Sequence, residues 1–300
     1  MIKLFRGGSW HVCFRERREE DDRLELDLPF SVVPNPPNGW IADPFLFSHG
    51  DRLFLFAEYF INAKEKGVIG VSEYRNGEFT PMRQVIEEPF HLSYPMVFAH
   101  EGSFYMIPES GQGGRIGLYR SANFPLEWEF TAEIASGGNF ADTTLTKIEG
   151  GALELVSYQK ADDCYRVFLI EFSLDEMRLV RCDSSSYGED YCRPAGLPLT
   201  VDGRSLIPVQ DCREKYGESI GLFPFDHTAG FAARRPVRVI DADSVSVAEE
   251  ASFQRVHTFN RLGCFDVIDV FEERFDVLHA PKMLRRRIRT AALKHNRLRG

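Results

Sequence analysis

The chain has 300 residues, 43% of them hydrophobic, and its 36 basic and 45 acidic side chains give a formal net charge of −9. This composition suits one folded domain with a large core rather than two smaller ones. No run of 18 uncharged apolar residues occurs, which excludes a membrane-spanning helix. The six cysteines are scattered and form no Cys-x-x-Cys pair, which argues against a zinc site or a small disulfide-stapled domain.

The N-terminal segment indicates a cytoplasmic protein. Residues 1–8 lead into a dense charge run at 15–23 without the apolar stretch of a secretory signal. We therefore expect reduced, mostly structural thiols. A disulfide between Cys192 and Cys212 is the alternative that the sequence leaves open.

Two stretches of the chain match each other closely, 51 residues apart. Asp43–Phe47 runs through a polar turn into Leu53–Glu58, and Tyr94–Phe98 runs through an equal turn into Phe104–Glu109. In both, a polar residue precedes a proline, and a glutamate ends a second apolar run 15 positions later. Each unit is predicted to be a β-hairpin that begins and ends in polar side chains.

Weaker echoes of this hairpin follow at similar intervals. They begin at Asp142, at Arg193-Pro194-Ala195-Gly196 and, with looser spacing, at His257-Thr258-Phe259-Asn260. Periods of about 40 to 50 residues built from short strands are typical of propeller blades. We predict an all-β chain that folds as a five-bladed β-propeller, a single domain over residues 1–280 with its blades starting near residue 40.

The last 20 residues form a separate basic segment. From Pro281 to Gly300 there are eight Lys or Arg and no acid, and Leu284, Ile288 and Leu298 fall near one helical face. This pattern predicts a short basic amphipathic C-terminal helix whose residues 282–299 contact an anionic membrane at its inner, cytoplasmic face. Nucleic-acid binding is the weaker reading because no aromatic residues are interleaved. The alternative without a binding function is a solvated tail that only packs on the propeller.

In a propeller the first strand of each blade lines the central axis, so the residues that open these strands should meet at one mouth of the channel. They are Asp43, Tyr94, Asp142, Arg193 and the pair His257 and Asn260. The ends of the second strands should add Glu58, Glu109, Tyr158, Gln210 and Asp211. Unpaired carboxylates are costly in a sealed core, so a ligand or an ion-pair network must account for them.

Several cations are candidate ligands for an anionic substrate. They are Arg115, Lys160, Arg193, His257 and Arg261. Magnesium could bridge a pyrophosphate through Asp142 or Asp211, although no motif demands a metal or another cofactor. Trp40 is a candidate stacking wall for a sugar because it abuts Asp43.

Residues 39–44, Gly-Trp-Ile-Ala-Asp-Pro, resemble the entry motif of the five-bladed clan of arabinanases, invertases and levansucrases. The resemblance implies that Asp43 is a nucleophile or a general base. The clan normally opens blade two with a second Asp-Pro, and here Tyr94-Pro95 stands in its place. Glu109 and Asp142 are then the nearby candidates for the acid and the orienting carboxylate.

A resemblance that covers most of the chain is to the propeller domain at the N-terminus of glucosamine inositolphosphorylceramide transferases and related bacterial proteins of polysaccharide synthesis. The segments that carry it are residues 88–95, 105–110, 118–120, 124–125, 193–196, 208–212 and 257–260. The chain also resembles bacterial propellers that transfer ribofuranose 5-phosphate from phosphoribosyl pyrophosphate to a polysaccharide, which implies furanose chemistry in the cytoplasm.

Three functional classes follow. The first is an inverting glycosyltransferase or phosphoribosyltransferase that uses an activated sugar donor and a glycan acceptor, with Asp43 as base and arginines on the donor. The second is a furanoside hydrolase with Asp43 as base or nucleophile and Glu109 as acid. The third is a non-catalytic glycan-binding module.

Overall fold

The structure, a computed structural model, describes residues 6–17, 22–26, 28–160, 165–187, 193–226, 230–231, 235–248 and 252–275. Within these ranges the chain forms strands, one short 3-10 turn at Gly111–Gly113 and no α-helix. No helix in the described ranges is long or apolar enough to cross a bilayer. The predicted C-terminal helix at 281–300 and the two cysteines 164 and 192 lie outside the described residues.

The strands form five antiparallel sheets, the five blades predicted from the repeats. The first two strands of the chain, β1 (Arg6–Glu16) and β2 (Ser31–Val32), belong to the last blade. Blade 1 contains β3 (Gly39–His49), β4 (Arg52–Ile61), β5 (Lys66–Arg75), β6 (Glu78–Phe79) and β7 (Arg83–Ile86). Blade 2 contains β8 (Ser93–His100), β9 (Ser103–Glu109), β10 (Arg115–Asn123) and β11 (Glu127–Ser136). Blade 3 contains β12 (Ala141–Glu149), β13 (Ala152–Lys160), β14 (Tyr165–Ser173) and β15 (Arg178–Tyr187). Blade 4 contains β16 (Arg193–Pro194), β17 (Leu199–Val201), β18 (Arg204–Asp211), β19 (Ser219–Asp226), β20 (Gly230–Phe231) and β21 (Arg238–Asp241). Blade 5 is completed by β22 (Arg255–Leu262) and β23 (Phe265–Phe275).

The blades close into a ring. Inner strand β3 packs on β8, β8 on β12, β12 on β16, β18 on β22, and β22 returns to β3. The prediction of a five-bladed β-propeller is therefore confirmed. Each inner strand starts at the same mouth of the ring, and each second strand runs antiparallel to it and ends at that mouth.

The N-terminal strand is a contribution that the repeat comparison missed, since it placed the start of the blades near residue 40. Strand β1 pairs with β23 from Arg6↔Phe275 to Glu16↔Phe265, so the beginning of the described chain supplies the third strand of blade 5. Val12 and Cys13 on this strand are fully buried in two different hydrophobic clusters. The ring is thus closed by residues from both ends of the described chain.

The hydrophobic core lies between neighbouring blades rather than at one centre. Phe172 and Tyr94 belong to the cluster between blades 2 and 3, and Phe56 and Met106 to the cluster between blades 1 and 2. Aromatic and β-branched side chains on both faces of each sheet fill these interfaces. Polar side chains are consequently left for the axis, where the inner strands meet.

Candidate active site

A β-bulge recurs at the mouth end of four inner strands. The register slips between Ala42 and Phe45, and equivalent slips occur in β8, β12 and β22. In the first three of these strands the bulged residue has positive φ, 51° at Asp43, 47° at Tyr94 and 48° at Asp142. Bulges redirect side chains, and left-handed non-glycine residues cluster at functional sites. The polar residues that open the repeats are therefore displaced from the regular pleat at the mouth.

Asp43 is almost completely buried, with 3% of its surface exposed, and it is held from three directions. Its Oδ1 accepts a hydrogen bond from Oγ1 of Thr258 at 2.9 Å and lies 3.1 Å from Nε2 of His257. Its Oδ2 accepts one long hydrogen bond, 3.3 Å, from the backbone N–H of Tyr94. Burial alone would raise the pKa of Asp43, but the charge and hydrogen bond of His257, with the Thr258 hydroxyl, lower the pKa below its usual value.

His257 lies between two carboxylates. Its Nδ1 is 2.7 Å from Oδ1 of Asp269 and its Nε2 is 3.1 Å from Oδ1 of Asp43, an arrangement that favours the imidazolium form of the ring. Burial would lower the pKa of His257, but the charges of Asp269 and Asp43 raise it well above 6.5. Trp10 packs against the ring with a centroid distance of 4.0 Å and the two planes tilted by 31°, and Tyr216 contacts it edge-on at 5.3 Å. The imidazolium is thereby fixed in place.

Asp269, fully buried on β23, organises this part of the site. Its Oδ1 also accepts the backbone N–H groups of His257 at 3.3 Å and Thr258 at 2.9 Å, and its Oδ2 accepts the N–H of Asp43 at 2.8 Å. Burial raises the pKa of Asp269 despite the opposing charge of His257. One carboxyl group therefore ties the bulges of blades 5 and 1 together.

A second cluster surrounds Arg193. The guanidinium forms a bidentate contact with Asp142, in which Nε meets Oδ2 and Nη2 lies 3.1 Å from Oδ1, and Nη2 also reaches Oε2 of Glu109 at 3.3 Å. Gln210 donates to Oδ2 of Asp142 at 2.9 Å, and Glu109 accepts the N–H of Asp142 at 3.1 Å. Arg193 thus contacts two acidic side chains, with 19% of its own side chain exposed.

Two further carboxyl groups are disposed to hold protons. Burial and the charge of Asp43 raise the pKa of Glu58 well above its usual value, and burial and Asp142 do the same for Glu109. Together with Asp269, five carboxyl groups lie around Arg193 and His257. Of these groups Asp43 has a lowered pKa, and its carboxylate can stabilise positive charge that develops on a reacting group.

The structure brings most of the predicted residues together at the mouth, but their roles differ. Tyr94 has no exposed surface, its phenol bonds to Oγ1 of Thr144 at 2.9 Å, and it offers the site its backbone N–H. Asn260 is structural in its contacts: it donates to the carbonyl of Pro44 and accepts from the N–H of Leu197, both at 2.8 Å. Trp40 stacks on Phe60 at the rim of blade 1.

The other predicted cations are placed outside the two clusters. Arg115 lies 3.8 Å from Glu88 and over the ring of Phe130, and Lys160 lies over the ring of Tyr165. Arg261 is not at the mouth. It pairs with the buried Asp266 at the other end of blade 5, beside Arg15 and Arg17, so the expected convergence does not extend to it.

The two carboxylates proposed for magnesium both contact arginines. Asp142 contacts Arg193 through both oxygens, and Asp211 contacts Arg213 at 3.0 Å and 2.7 Å. A divalent ion at either carboxylate would displace one of these contacts. These two carboxylates are therefore arranged as ion-pair partners of arginines and not as magnesium ligands.

Sequence reasoning missed Asp269, Thr258, Trp10 and Tyr216 as parts of the site. Thr258 follows His257 in a segment that the repeats had singled out, so its position carried a signal. Asp269 lies inside an ordinary alternating strand, and Trp10 comes from the N-terminal strand. The local sequence around Asp269 and Trp10 does not indicate their roles, because both residues come to the site only when the last blade closes the ring.

Comparison with known proteins gives a family match. The model of the family described as glucosamine inositolphosphorylceramide transferase 1, N-terminal, matches residues 31–231. Glucosamine inositolphosphorylceramide transferase 1 of Arabidopsis thaliana is 37% identical over 193 residues, which cover 61% of this chain and 25% of that protein. The protein of the same name from Oryza sativa subsp. japonica is 35% identical over 199 residues, covering 63% and 27%. The chain thus spans about a quarter of the length of these curated relatives.

Solved structures share the fold. A β-1,2-mannobiose phosphorylase from Listeria innocua superimposes with a TM-score of 0.55 at 10% identity, over 91% of this chain and 99% of that one. An α-L-arabinofuranosidase from Podospora anserina superimposes with a TM-score of 0.53 at 10% identity, over 81% and 94%. At such identities the likeness concerns the architecture alone.

Proposed function

The chain belongs to the family of the N-terminal domain of glucosamine inositolphosphorylceramide transferase 1, and on that premise we propose that it is a carbohydrate-active enzyme that transfers a sugar with inversion. The sugar is a furanose, with ribofuranose 5-phosphate from phosphoribosyl pyrophosphate as the specific candidate. The acceptor is a hydroxyl group of a glycan in surface polysaccharide synthesis. The transferases among its relatives support the reaction class.

The observation that carries this proposal is the state of Asp43. Its Oδ1 is occupied by Thr258 and His257, whereas within the described residues its Oδ2 accepts only the long bond from Tyr94. The lowered pKa keeps the carboxylate ionised at neutral pH. Oδ2 is thus the oxygen available to accept a proton from an acceptor hydroxyl.

The transfer requires no reagent other than the sugar donor and the acceptor. The acceptor oxygen forms a bond to the anomeric carbon while the bond from that carbon to the leaving group breaks, and the leaving group keeps the electron pair. The acceptor proton passes to Oδ2 of Asp43. The carboxylate of Asp142 stabilises the positive charge that develops on the sugar ring, and Glu109 beside it serves as a hydrogen-bonding group.

The donor end requires cations at the mouth. Arg193 holds Asp142 and Glu109 through Nε and Nη2, and 19% of its side chain is exposed at the mouth. Arg115 begins the third strand of blade 2, Lys160 ends the second strand of blade 3, and both positions belong to the mouth side. These three cations are the candidate donor ligands, and a pyrophosphate leaving group needs no strong acid.

A furanoside hydrolase is the second candidate, and the raised pKa of Glu109 favours it. A protonated Glu109 with 19% of its side chain exposed could donate to a leaving oxygen while Asp43 acts from the other side. The two reactions differ in whether they need Glu109. Transfer from a pyrophosphate donor does not need its proton, whereas hydrolysis does.

The test incubates the wild-type protein and Asp43→Asn with phosphoribosyl pyrophosphate or nucleotide sugars and an acceptor glycan, in parallel with aryl furanosides. Donor-dependent product that disappears in the variant supports transfer. Aryl release that disappears in Asp43→Asn and in Glu109→Gln supports hydrolysis instead. Glycan binding without turnover in any arm contradicts both and identifies a binding module.

Contact with an anionic membrane through residues 282–299 is a separate proposal. The test compares the full chain with a chain truncated after Pro281 by co-sedimentation with anionic liposomes. Equal binding by the two chains would contradict the proposed membrane contact.

A further inference from the structure

A flat aromatic surface lies at the rim of blade 1, beside Asp43. Trp40 on β3 is the cross-strand partner of Phe60 on β4, and their rings are stacked with centroids 4.6 Å apart and planes 4° from parallel. Both side chains are partly exposed. Their position near the start of β3 and the end of β4 puts them on the mouth side of the ring.

Glu58 lies on the same face as Phe60, two residues earlier and one step closer to Asp43. It is opposite Ala42, the residue before the Asp43 bulge. Only 5% of Glu58 is exposed, and its buried Oε1 makes no hydrogen bond within the described part of the chain. Nε2 of His91 lies 3.3 Å from this oxygen without hydrogen-bond geometry.

The surroundings hold this carboxyl group in place. The backbone N–H of Gly67 donates to Nδ1 of His91 at 3.0 Å, so Nδ1 is the acceptor nitrogen of the ring. In the neutral imidazole the proton is then on Nε2, which faces Glu58. A Cβ at position 67 would lie 2.7 Å from Oε1 of Glu58 and 2.5 Å from the carbonyl oxygen of Leu92. The position therefore accommodates glycine and little else.

The charges around Glu58 indicate which ligand it could bind. Asp43, Glu109 and Asp269 disfavour its ionised form, and His257 only partly offsets them, with His91 as the further titratable neighbour. A protonated carboxyl group both donates and accepts hydrogen bonds, which suits a hydroxyl group. The ionised carboxylate of Asp43 would repel a phosphate placed directly against it. Aromatic faces suit the apolar face of a sugar ring.

We propose that Trp40, Phe60, Glu58 and His91 form a subsite for an uncharged sugar ring, with the ring on the aromatic pair and a hydroxyl group on Glu58. That this subsite binds the acceptor rests on the proposed function, in which Asp43, the next polar group along the rim, takes the proton of the acceptor hydroxyl. The binding itself does not depend on that assignment.

The test measures binding of a panel of methyl furanosides and methyl pyranosides by saturation-transfer NMR and calorimetry, from pH 5 to pH 9. The expected result is that at least one glycoside binds and that Trp40→Ala weakens it by about threefold to tenfold, the range for one aromatic contact. Wild-type affinity falls as Glu58 ionises with rising pH. Glu58→Gln, which keeps a neutral donor and acceptor, binds with no such pH dependence.

Two matched variants serve as controls. Glu88→Gln alters a partly buried glutamate that bonds to Tyr119 rather than to this surface, and Phe104→Ala removes a partly exposed ring at the opposite end of blade 2. Both should bind as the wild type does. Binding of no glycoside in the panel, equal binding by Trp40→Ala, or an unchanged pH dependence in Glu58→Gln would overturn the subsite.

The transfer assay separates this inference from the proposed function. Asp43→Asn should lose transfer and keep glycoside binding. Trp40-dependent binding without any transfer would leave the subsite standing and remove the proposed function. Transfer whose acceptor KM is unaffected by Trp40→Ala, together with unchanged glycoside binding, would remove the subsite and leave the function.

Discussion

Asp269→Asn tests the carboxylate that joins the two ends of the ring. Asp269 accepts four hydrogen bonds, three on Oδ1 from His257 and Thr258 and one on Oδ2 from the N–H of Asp43. An asparagine of the same shape keeps the Oδ1 acceptor, but its amide NH₂ then faces the N–H donor of Asp43. The substitution also removes one of the two counter-charges of the buried His257 imidazolium.

Removing one partner of a buried ion pair costs about 3–5 kcal/mol. Hydrogen bonds that involve a charged group contribute about 1.5–3 kcal/mol each, and at least one is lost here. We therefore expect the free energy of unfolding to fall by about 3–5 kcal/mol at pH 6. The control Asp175→Asn, at an exposed turn, should stay within about 0.5 kcal/mol of the wild type.

The loss should depend on pH in a definite direction. The pKa of His257 is raised above 6.5 in the folded protein by Asp269 and Asp43, although burial opposes the shift. Its contribution to stability is therefore complete below pH 6.5 and declines as the pH rises through the folded-state pKa. The destabilisation by Asp269→Asn should be largest near pH 6 and smaller at pH 9.

The assay is urea unfolding at both pH values, with the His257 ring titrated by NMR in wild type and variant. In Asp269→Asn the pKa of His257 should move down toward its ordinary value. A variant as stable as the wild type at pH 6, an equal loss at both pH values, or an unmoved His257 titration would refute the reasoning.

Three further predictions concern ring closure, backbone space and the Arg193 cluster. Deleting residues 1–17 removes β1 from β23 and uncovers the hydrophobic cluster that contains Val12. The truncated chain should therefore show no cooperative thermal unfolding when it is monitored by circular dichroism, and a transition like that of the wild type would contradict this. Gly196→Ala should cost at least about 2 kcal/mol in urea unfolding, because Gly196 has a φ of 145° and a Cβ would lie 2.0 Å from the carbonyl oxygen of Phe259, and an unchanged midpoint would count against it. Arg193→Met removes the cation that contacts Asp142 and Glu109, so stability should fall by about 3–5 kcal/mol. The loss should be smaller at pH 5 than at pH 8, because burial and the charge of Asp142 raise the pKa of Glu109 and favour its neutral form at the lower pH; equal losses at the two pH values would contradict the pairing.

The two motifs Arg193-Pro194-Ala195-Gly196 and His257-Thr258-Phe259-Asn260 show how local signals translated into structure. The N–H of Phe259 donates to the carbonyl of Ala195, and the N–H of Leu197 donates to Asn260, so the two motifs are one interlocked unit between blades 4 and 5. The sequence marked both as repeat starts. It did not show that they contact each other, because their contact spans more than 60 residues.

The sequence by itself determined the number of blades and the polar residues that open their inner strands. Apolar runs, turns and polar strand starts are local features that repeat, so counting them predicts five blades and places Asp43, Asp142 and Arg193 on the axis. Which acid meets which cation was decided by tertiary structure alone. The pairing of Asp43 with His257, the role of Asp269 and the closure by β1 depend on distances across the ring, which neither propensity nor periodicity contains, and the pKa shifts follow from the burial that closure creates.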